Sequence, residues 1–308
     1  MSALTLLTYL AVLVYIITMI SKVLRIKNMP IHLRWELYPV PHEKGRAHYG
    51  GSKLEEYEWW TKEHPKDHIN EIKEMGSEII ALKAVWEHNK PLWIGTFPFH
   101  IGLYMLAGNI ALLVLAGILI ISGSSIEATA GGLEAVLYYG IYYIALIAAV
   151  LGAFGSLRLM FSRIVDMGLR NHSSMSHYFN IILIGAMCVT LLFWLLTDAN
   201  FVANIAGFYA GLLSFGATPE LPTIAYWHIG STLFFIAYLP FTHMTHMVLK
   251  YFSYHSVRWE DEDIKPDSKK GRQLADQLNY KVSWSAKHID SDGTKSWGDV
   301  VSKLPEEM

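Results

Sequence analysis

A single cysteine, Cys188, is present among 308 residues. That shortage excludes a covalent c-type haem on a CxxCH motif, and it excludes a four-cysteine iron–sulfur or zinc site. Any iron–sulfur cluster that works with this chain belongs to another polypeptide. Cys188 lies in an apolar run and reads as a small buried hydrophobe. Charge is also scarce, at 17% of residues against 52% hydrophobic. Five long apolar runs, about 3–21, 92–121, 134–157, 178–197 and 222–249, have no Asp, Glu, Lys or Arg in their interiors. Runs of that length and purity cross a bilayer as helices. The fold class expected is therefore an all-α integral membrane protein, a five-span helix bundle.

Positive charge is missing from two loops in particular. All 25 Lys and Arg fall within 22–90 (12), 158–170 (3) and 250–303 (10), and the loops near 122–133 and 198–221 contain none. Basic residues collect on the cytoplasmic side of a membrane, so the alternation predicts the N-terminus outside and the C-terminus inside. The first span lacks a basic n-region, and no small-residue cleavage site precedes Lys22, Arg25 and Lys27, so it is expected to stay as a span rather than be removed as a signal peptide. The net charge of −2 supplies no argument for nucleic-acid binding.

The chain divides on composition into a five-span membrane domain, 1–249, which includes the cytoplasmic loop 22–90, and a cytoplasmic tail, 250–308. The first part of the loop holds Pro30, Pro39, Pro41, Gly45, Gly50 and Gly51 and reads as irregular. Residues 68–88 place Ile69, Ile72, Ile79, Ile80 and Val85 at helical spacing, as an amphipathic helix at the inner interface would. The outer loops are short, rich in Gly, Ala and Ser, and too small for a domain. The tail is polar but carries Trp259, Trp284 and Trp297. Tryptophans on such a segment suit docking to a partner protein; folding back on the 22–90 loop is the alternative. No internal repeat is visible.

Fourteen histidines are present. His32, His42, His48, His64 and His68, and likewise His172, His177, His255 and His288, lie in polar, basic surroundings where a solvated or packed imidazole is the default. His100 and His228 lie inside apolar spans, where a polar side chain is costly and is retained for a task. His228 and His246 are eighteen residues apart. On one continuous helix that is about five turns and ~27 Å, which puts them on one face near opposite membrane surfaces. His88 and His100 precede and enter the second span. Antiparallel packing of spans two and five then pairs His100 with His228 and His88 with His246, with His243, one turn before His246, as the alternative. Facing imidazoles of this kind suit bis-histidine haem iron, and the expected cofactors are two haem b. Pro91 suits a first helical turn, and Pro98 is expected to kink the span. Arg158, Arg163 and Lys250 are candidates for pairing with haem propionates. Glu220, Asp198 and Glu134 flank the outer surface as candidate proton relays on a quinone side.

Two readings from other classes compete. A proton channel or transporter would use the histidines as relays, but the spans offer no acidic or basic residue to complete the path. A haem-free anchor would merely tether a cytoplasmic enzyme, yet it has no use for costly intramembrane imidazoles.

Span five, with LPFTHMTH, resembles the γ subunit of respiratory nitrate reductase, a five-span dihaem cytochrome b. The segments RWELYPVPHEKG, YGGSKLEEYEWWTK, FPFHIGLYM, KYFSYHSVRWEDE and VSWSAKHIDSDGTKSWGDV are similar to the membrane cytochrome b subunits of the Dsr-type and Tmc-type sulfate-respiration complexes. The nitrate reductase family's second-helix ligands lie closer together than the twelve residues that separate His88 and His100. The resemblance implies a subunit of a menaquinol oxidoreductase complex in the cytoplasmic membrane of a prokaryote. It implies oxidation of menaquinone's quinol form near the outer haem, and electron passage to a cytoplasmic iron–sulfur subunit resembling the heterodisulfide reductase catalytic subunit. Further membrane subunits, or outer-side cytochrome c or iron–sulfur subunits, belong to such complexes. A nitrate-reductase-type quinol oxidase is the alternative within the same class.

The charge asymmetry predicts the topology directly. A reporter fused after residue 308 should be active only as a cytoplasmic marker, and one inserted near 125 only as an outer-side marker; the reverse pattern would overturn the orientation.

Overall fold

The structure is a computed structural model that describes residues 2–29, 41, 43–49, 51–63, 65–255, 259, 265–286, 289 and 291–302. Pro30, Pro39, Gly50, His32, His42, His64 and His288, all weighed above, lie outside the described residues. Twelve α-helices occur among those described: α1 (Ala3–Lys27), α2 (His68–Ile80), α3 (Lys83–His88), α4 (Lys90–Ile121), α5 (Gly132–Val165), α6 (Met167–Asn171), α7 (Met175–Thr197), α8 (Phe201–Leu213), α9 (Thr223–Tyr238), α10 (His246–Ser253), α11 (Lys269–Leu278) and α12 (Trp297–Val301). Two isolated β-bridges are the only extended pairing found there. Five segments are long and apolar enough to span: Ala3–Lys27, Lys90–Ile121, Gly132–Val165, Met175–Thr197 and Thr223–Phe241. The all-α five-span bundle read from the sequence is the fold of this chain.

Two compact units are present, one formed by Met1–Ile20 with Ile72–Thr245 and the other by Ser21–Glu71 with His246–Met308. The division falls inside the 22–90 stretch that composition had placed wholly with the membrane domain.

The first unit is built on a long hairpin. Helices α4 and α5 have 32 and 34 residues, or ~48 and ~51 Å, well beyond the ~30 Å hydrocarbon layer. Asn89 caps α4 by accepting from the Leu92 N–H at 3.0 Å, and Pro91 occupies the first turn where no donor is needed. The helix continues through Pro98. Contact between the helices depends on small residues. A Cβ on Gly102 would stand 2.8 Å from the Gly152 nitrogen, and one on Gly155 would meet the Phe99 backbone at 2.6 Å. On its other side Gly152 faces Cys188 of α7, whose Sγ a Cβ would strike, and Gly185 lies over Ser156. Close backbone approach through glycine is how helices associate where lipid removes the hydrophobic driving force.

Beyond Thr197 the chain departs from the expected short loop. Asp198 ends α7, and α8 carries Phe201, Val202, Ile205, Ala206 and Phe208 into the core. Its N-terminal Phe201 packs on Trp194 with ring centroids 5.0 Å apart, and its C-terminal turn reaches Gly117 of α4 through Tyr209, Ala210 and Leu213. Residues 214–222 then double back along α8, with Gly211 against Ala217 and Gly207 against Pro219. Tyr9 of α1 donates to the Leu212 carbonyl at 2.6 Å.

The last span ends earlier than its hydrophobicity suggests. α9 stops at Tyr238, and two 3₁₀ turns, Leu239–Phe241 and His243–Thr245, follow before α10. Pro240 is the cause: it has no N–H to donate, and its ring crowds the carbonyl four residues back. The single helix over 222–249 is therefore corrected, and with it the straight-helix register that placed His228 and His246 on one face. The 68–88 helix is likewise two pieces, because Leu82 between them is left-handed (φ 52, ψ 49). Trp93 Nε1 donates to the Ala81 carbonyl at 2.8 Å and the Tyr104 hydroxyl to Ile79 at 3.1 Å, fixing the end of α2 to α4. Ile72, Ile79 and Ile80 remain an exposed apolar stripe.

In the second unit, buried Glu43 accepts from the Ser52 hydroxyl at 3.0 Å and from the Lys53 amide, and Arg46 pairs with Glu56. His255 Nε2 lies 2.8 Å from Glu71, joining the tail to the loop. Trp259 is buried against Tyr254 and His255. Trp284 is half exposed, beside Trp297. The neighbours that cover Trp259 are thus residues of the tail itself, and the tail meets the loop through His255 and Glu71.

Because the seam leaves no room, Gly102→Leu or Gly152→Leu should cost roughly 1–3 kcal/mol through overpacking, read as a lower thermal midpoint in detergent. Gly108→Ala, which meets nothing within 4 Å, should hold or raise it.

Candidate functional site

Two intramembrane imidazoles are oriented in the same way. His228 in α9 is buried, and its Nδ1 lies 3.2 Å from the Met187 carbonyl of α7. His100 in α4 is half-buried, and its Nδ1 lies 2.8 Å from the carbonyl of Thr96, one turn earlier. A carbonyl can only accept, so Nδ1 carries the proton in both and Nε2 holds the lone pair. A bond of this kind orients the ring and leaves Nε2 as the nitrogen able to ligate; His172 and His255 make the same bond to the carbonyl one turn earlier.

The two histidines share a level in the bundle. Gly102 abuts Gly152, Gly152 abuts Cys188, and the residue before Cys188 is Met187, whose carbonyl receives the His228 Nδ1–H. His100 is two residues from Gly102. The sequence had suggested His228 near the outer surface and His100 closer to the inner one. The return of 214–222 along α8 explains the difference, since it starts α9 well below the ends of α4 and α8. α9 packs chiefly on α7, and α4 chiefly on α5 and α8.

Buried polar atoms without partners occur in the same unit. Among the described residues, the buried Thr232 Oγ1, both amide atoms of Asn180, Nε and one terminal nitrogen of Arg163, and Asn109 Oδ1 have no hydrogen-bond partner. Thr232 is one turn beyond His228 on the same face of α9. Asn180 and Arg163 lie where α7 meets the end of α5, beside the Tyr178 hydroxyl bonded to the Arg163 carbonyl. Unpaired buried groups are costly and fit a ligand with acceptor and donor oxygens. Arg163, the Asn180 amide N–H and the Thr232 hydroxyl are donors of the kind that haem propionates accept from, so the donor chemistry of this unit fits a haem. Of the other two propionate candidates, Arg158 donates to the Ser162 hydroxyl and the Pro91 carbonyl, and Lys250 lies over the Tyr254 ring at 5.5 Å.

The second expected pair is placed differently. His88 is exposed at the end of α3, in the first unit, and His246 opens α10, in the second. His243 lies against His177, with ring centroids 4.3 Å apart and the rings tilted by 32°. His177 had been read as an ordinary polar histidine; its Nδ1 accepts from the Ser174 amide at 3.1 Å, closing a capping box at the start of α7. Sequence spacing held no signal for that pair, which joins two distant segments. Among the described residues no group of three or more His, Cys, Asp or Glu converges as a metal cage.

The outer carboxylates have separate surroundings. Glu220 is exposed, and Glu134 accepts from the Ser124 hydroxyl at 3.2 Å. Asp198 accepts from Trp194 Nε1 and Asn204 Nδ2, both at 2.8 Å, and from the Asn200 amide at 2.9 Å. Burial disfavours its charge, but these donors outweigh that and hold the carboxyl below the usual carboxylate range. Asp198 is thereby the clasp of the α7–α8 junction.

Comparison with family models, curated proteins and solved structures finds no match to this chain.

Asp198→Asn should cost about 1–3 kcal/mol, because its amide cannot accept from all three donors. The wild-type carboxyl has a folded pKa below its unfolded value of about 3.9, so its stabilisation is complete above that pH and is lost as pH falls through the folded value. The thermal midpoint of wild type should accordingly drop on acidification below pH ~4, and that of Asp198→Asn should drop less.

Proposed function

We propose that this chain is a membrane cytochrome b in which His100 and His228 would hold one haem b. The observation that carries the reading is the common level and matching Nδ1 orientation of these two imidazoles, on helices that each pack mainly on other partners. When bound, haem supplies one-electron transfer within the apolar layer. His100 and His228 would hold the iron through Nε2, with Thr96 and Met187 carbonyls raising imidazole basicity. Arg163, Asn180 and Thr232 would take up propionate charge and hydrogen bonds. A second haem at the basic end would use His88 with His246, or His243 in its place, as the family resemblance implies.

The electron path that follows runs from menaquinol on the low-charge, outer side to a cytoplasmic iron–sulfur partner of the heterodisulfide reductase type. The respiratory setting is reduction of sulfate or sulfite, in the cytoplasmic membrane of a prokaryote. The sequence resemblance supports this wider assignment; the buried histidines support the cofactor.

The purified chain should show two haem b in a pyridine haemochrome assay. His100→Ala and His228→Ala should each lose one haem and leave the same residual spectrum, while His88→Ala and His246→Ala lose the other. Folded protein without haem would overturn the proposal and leave a membrane anchor.

A further inference from the structure

Helix α2 is turned the wrong way for a helix in water. Ile72, Gly76, Ile79 and Ile80 share one face at helical spacing, and Glu74 and Glu78 share the other. An amphipathic helix beside a bundle ordinarily turns its apolar stripe inward. In α2 the carboxylates take that place. Glu78 is only 9% exposed, and Glu74 meets the Lys83 ammonium at 2.7 Å. The isoleucines face out, with Ile72 72%, Ile79 42% and Ile80 60% exposed. A Cβ on Gly76, in the middle of that face, would meet nothing within 4 Å.

What covers this face follows from where α2 is attached. Tyr104, whose hydroxyl donates to the Ile79 carbonyl, lies fourteen residues, or ~21 Å, beyond Lys90 in the span α4. Trp93, on the same face of α4, donates to the Ala81 carbonyl. The end of α2 is thus fixed to the wall of a membrane-crossing helix. Two carbonyls at that end already have donors, as an apolar setting demands. The isoleucine face continues the exposed surface of α4, where Ile94 and Tyr104 stand open, and lipid covers the surface of a span. Trp86 stands beside Trp93 at 4.9 Å, with the Lys90 ammonium over its ring at 5.0 Å, the pairing of aromatic and cation found where hydrocarbon meets water. Lys73, exposed at the edge of the stripe, suits a lipid headgroup and is disfavoured at the core of a protein interface.

We propose that α2 lies in the bilayer leaflet on the Lys- and Arg-rich side, with its isoleucine face among the acyl chains and its carboxylates turned to the protein. Lipid then holds α2 against α4 and braces the start of that span through Trp93 and Tyr104. This seat requires no haem.

Site-directed spin labelling of the full chain in liposomes of phosphatidylethanolamine and phosphatidylglycerol tests it. Cys188 is buried, so each added cysteine supplies the labelled thiol and the unsubstituted chain is the blank. Ile72→Cys, Gly76→Cys, Ile79→Cys and Ile80→Cys are compared with Asp276→Cys, exposed on α11, as the aqueous reference. The ratio of oxygen to NiEDDA accessibility at the four α2 positions should be roughly threefold or more above the reference, as for an acyl-chain environment. A ratio equal to the reference would put the face in water and overturn the proposal. Low access to both reagents would mean that a second copy of the chain covers it, which would also overturn the proposal. Gly76→Cys projects into open space, so it keeps the test decisive where an isoleucine variant fails to fold.

Discussion

The close approach of α4, α5 and α7 through Gly102, Gly152 and Cys188 is the constraint on which the rest of the first unit depends. With no side chain at Gly102 or Gly152, three helix backbones meet at one level, and that level is where His100 and His228 sit. Larger residues would separate the helices and slide the α7 carbonyls away from α9. The Met187 carbonyl that orients His228 is the neighbour of the cysteine packed on Gly152. Packing thus sets the tautomer of His228, and that tautomer leaves Nε2 as the nitrogen able to ligate.

The asymmetry between the two ends follows from a second device, the break between α7 and α8. Asp198 stops α7 and, by accepting from Trp194, Asn200 and Asn204, holds the start of α8 over it. The chain climbs in α8, returns through 214–222, and only then begins α9. The same break leaves the tyrosine face of α5 uncovered beside Thr197 and Asp198. One carboxylate, by holding the α7–α8 break, therefore shapes the depth of His228.

Much of the fold was legible in the sequence because the signal was an absence. Spans without charge and loops without Lys or Arg need no tertiary knowledge to read. His100 and His228 stood out for the same reason, as polar groups in apolar runs. What was not legible depended on local breaks inside apolar stretches. Pro240 ends α9 although the run to 249 stays hydrophobic, and α8 hides in a loop judged by its small residues. The common level of His100 and His228 required the return segment, which no periodicity announces. The approach of His177 to His243 joins residues far apart in the chain, and so does the contact of His255 with Glu71. Both are long-range packing, invisible to spacing.

The central proposal is that His100 and His228 would hold one and the same haem iron. Near-infrared magnetic circular dichroism of the oxidised chain in detergent reports axial ligands directly. A low-spin bis-imidazole band that loses one haem's intensity in His228→Ala, and regains it on adding free imidazole, is the predicted result. A band of histidine–methionine type, or one indifferent to His228, would contradict the account.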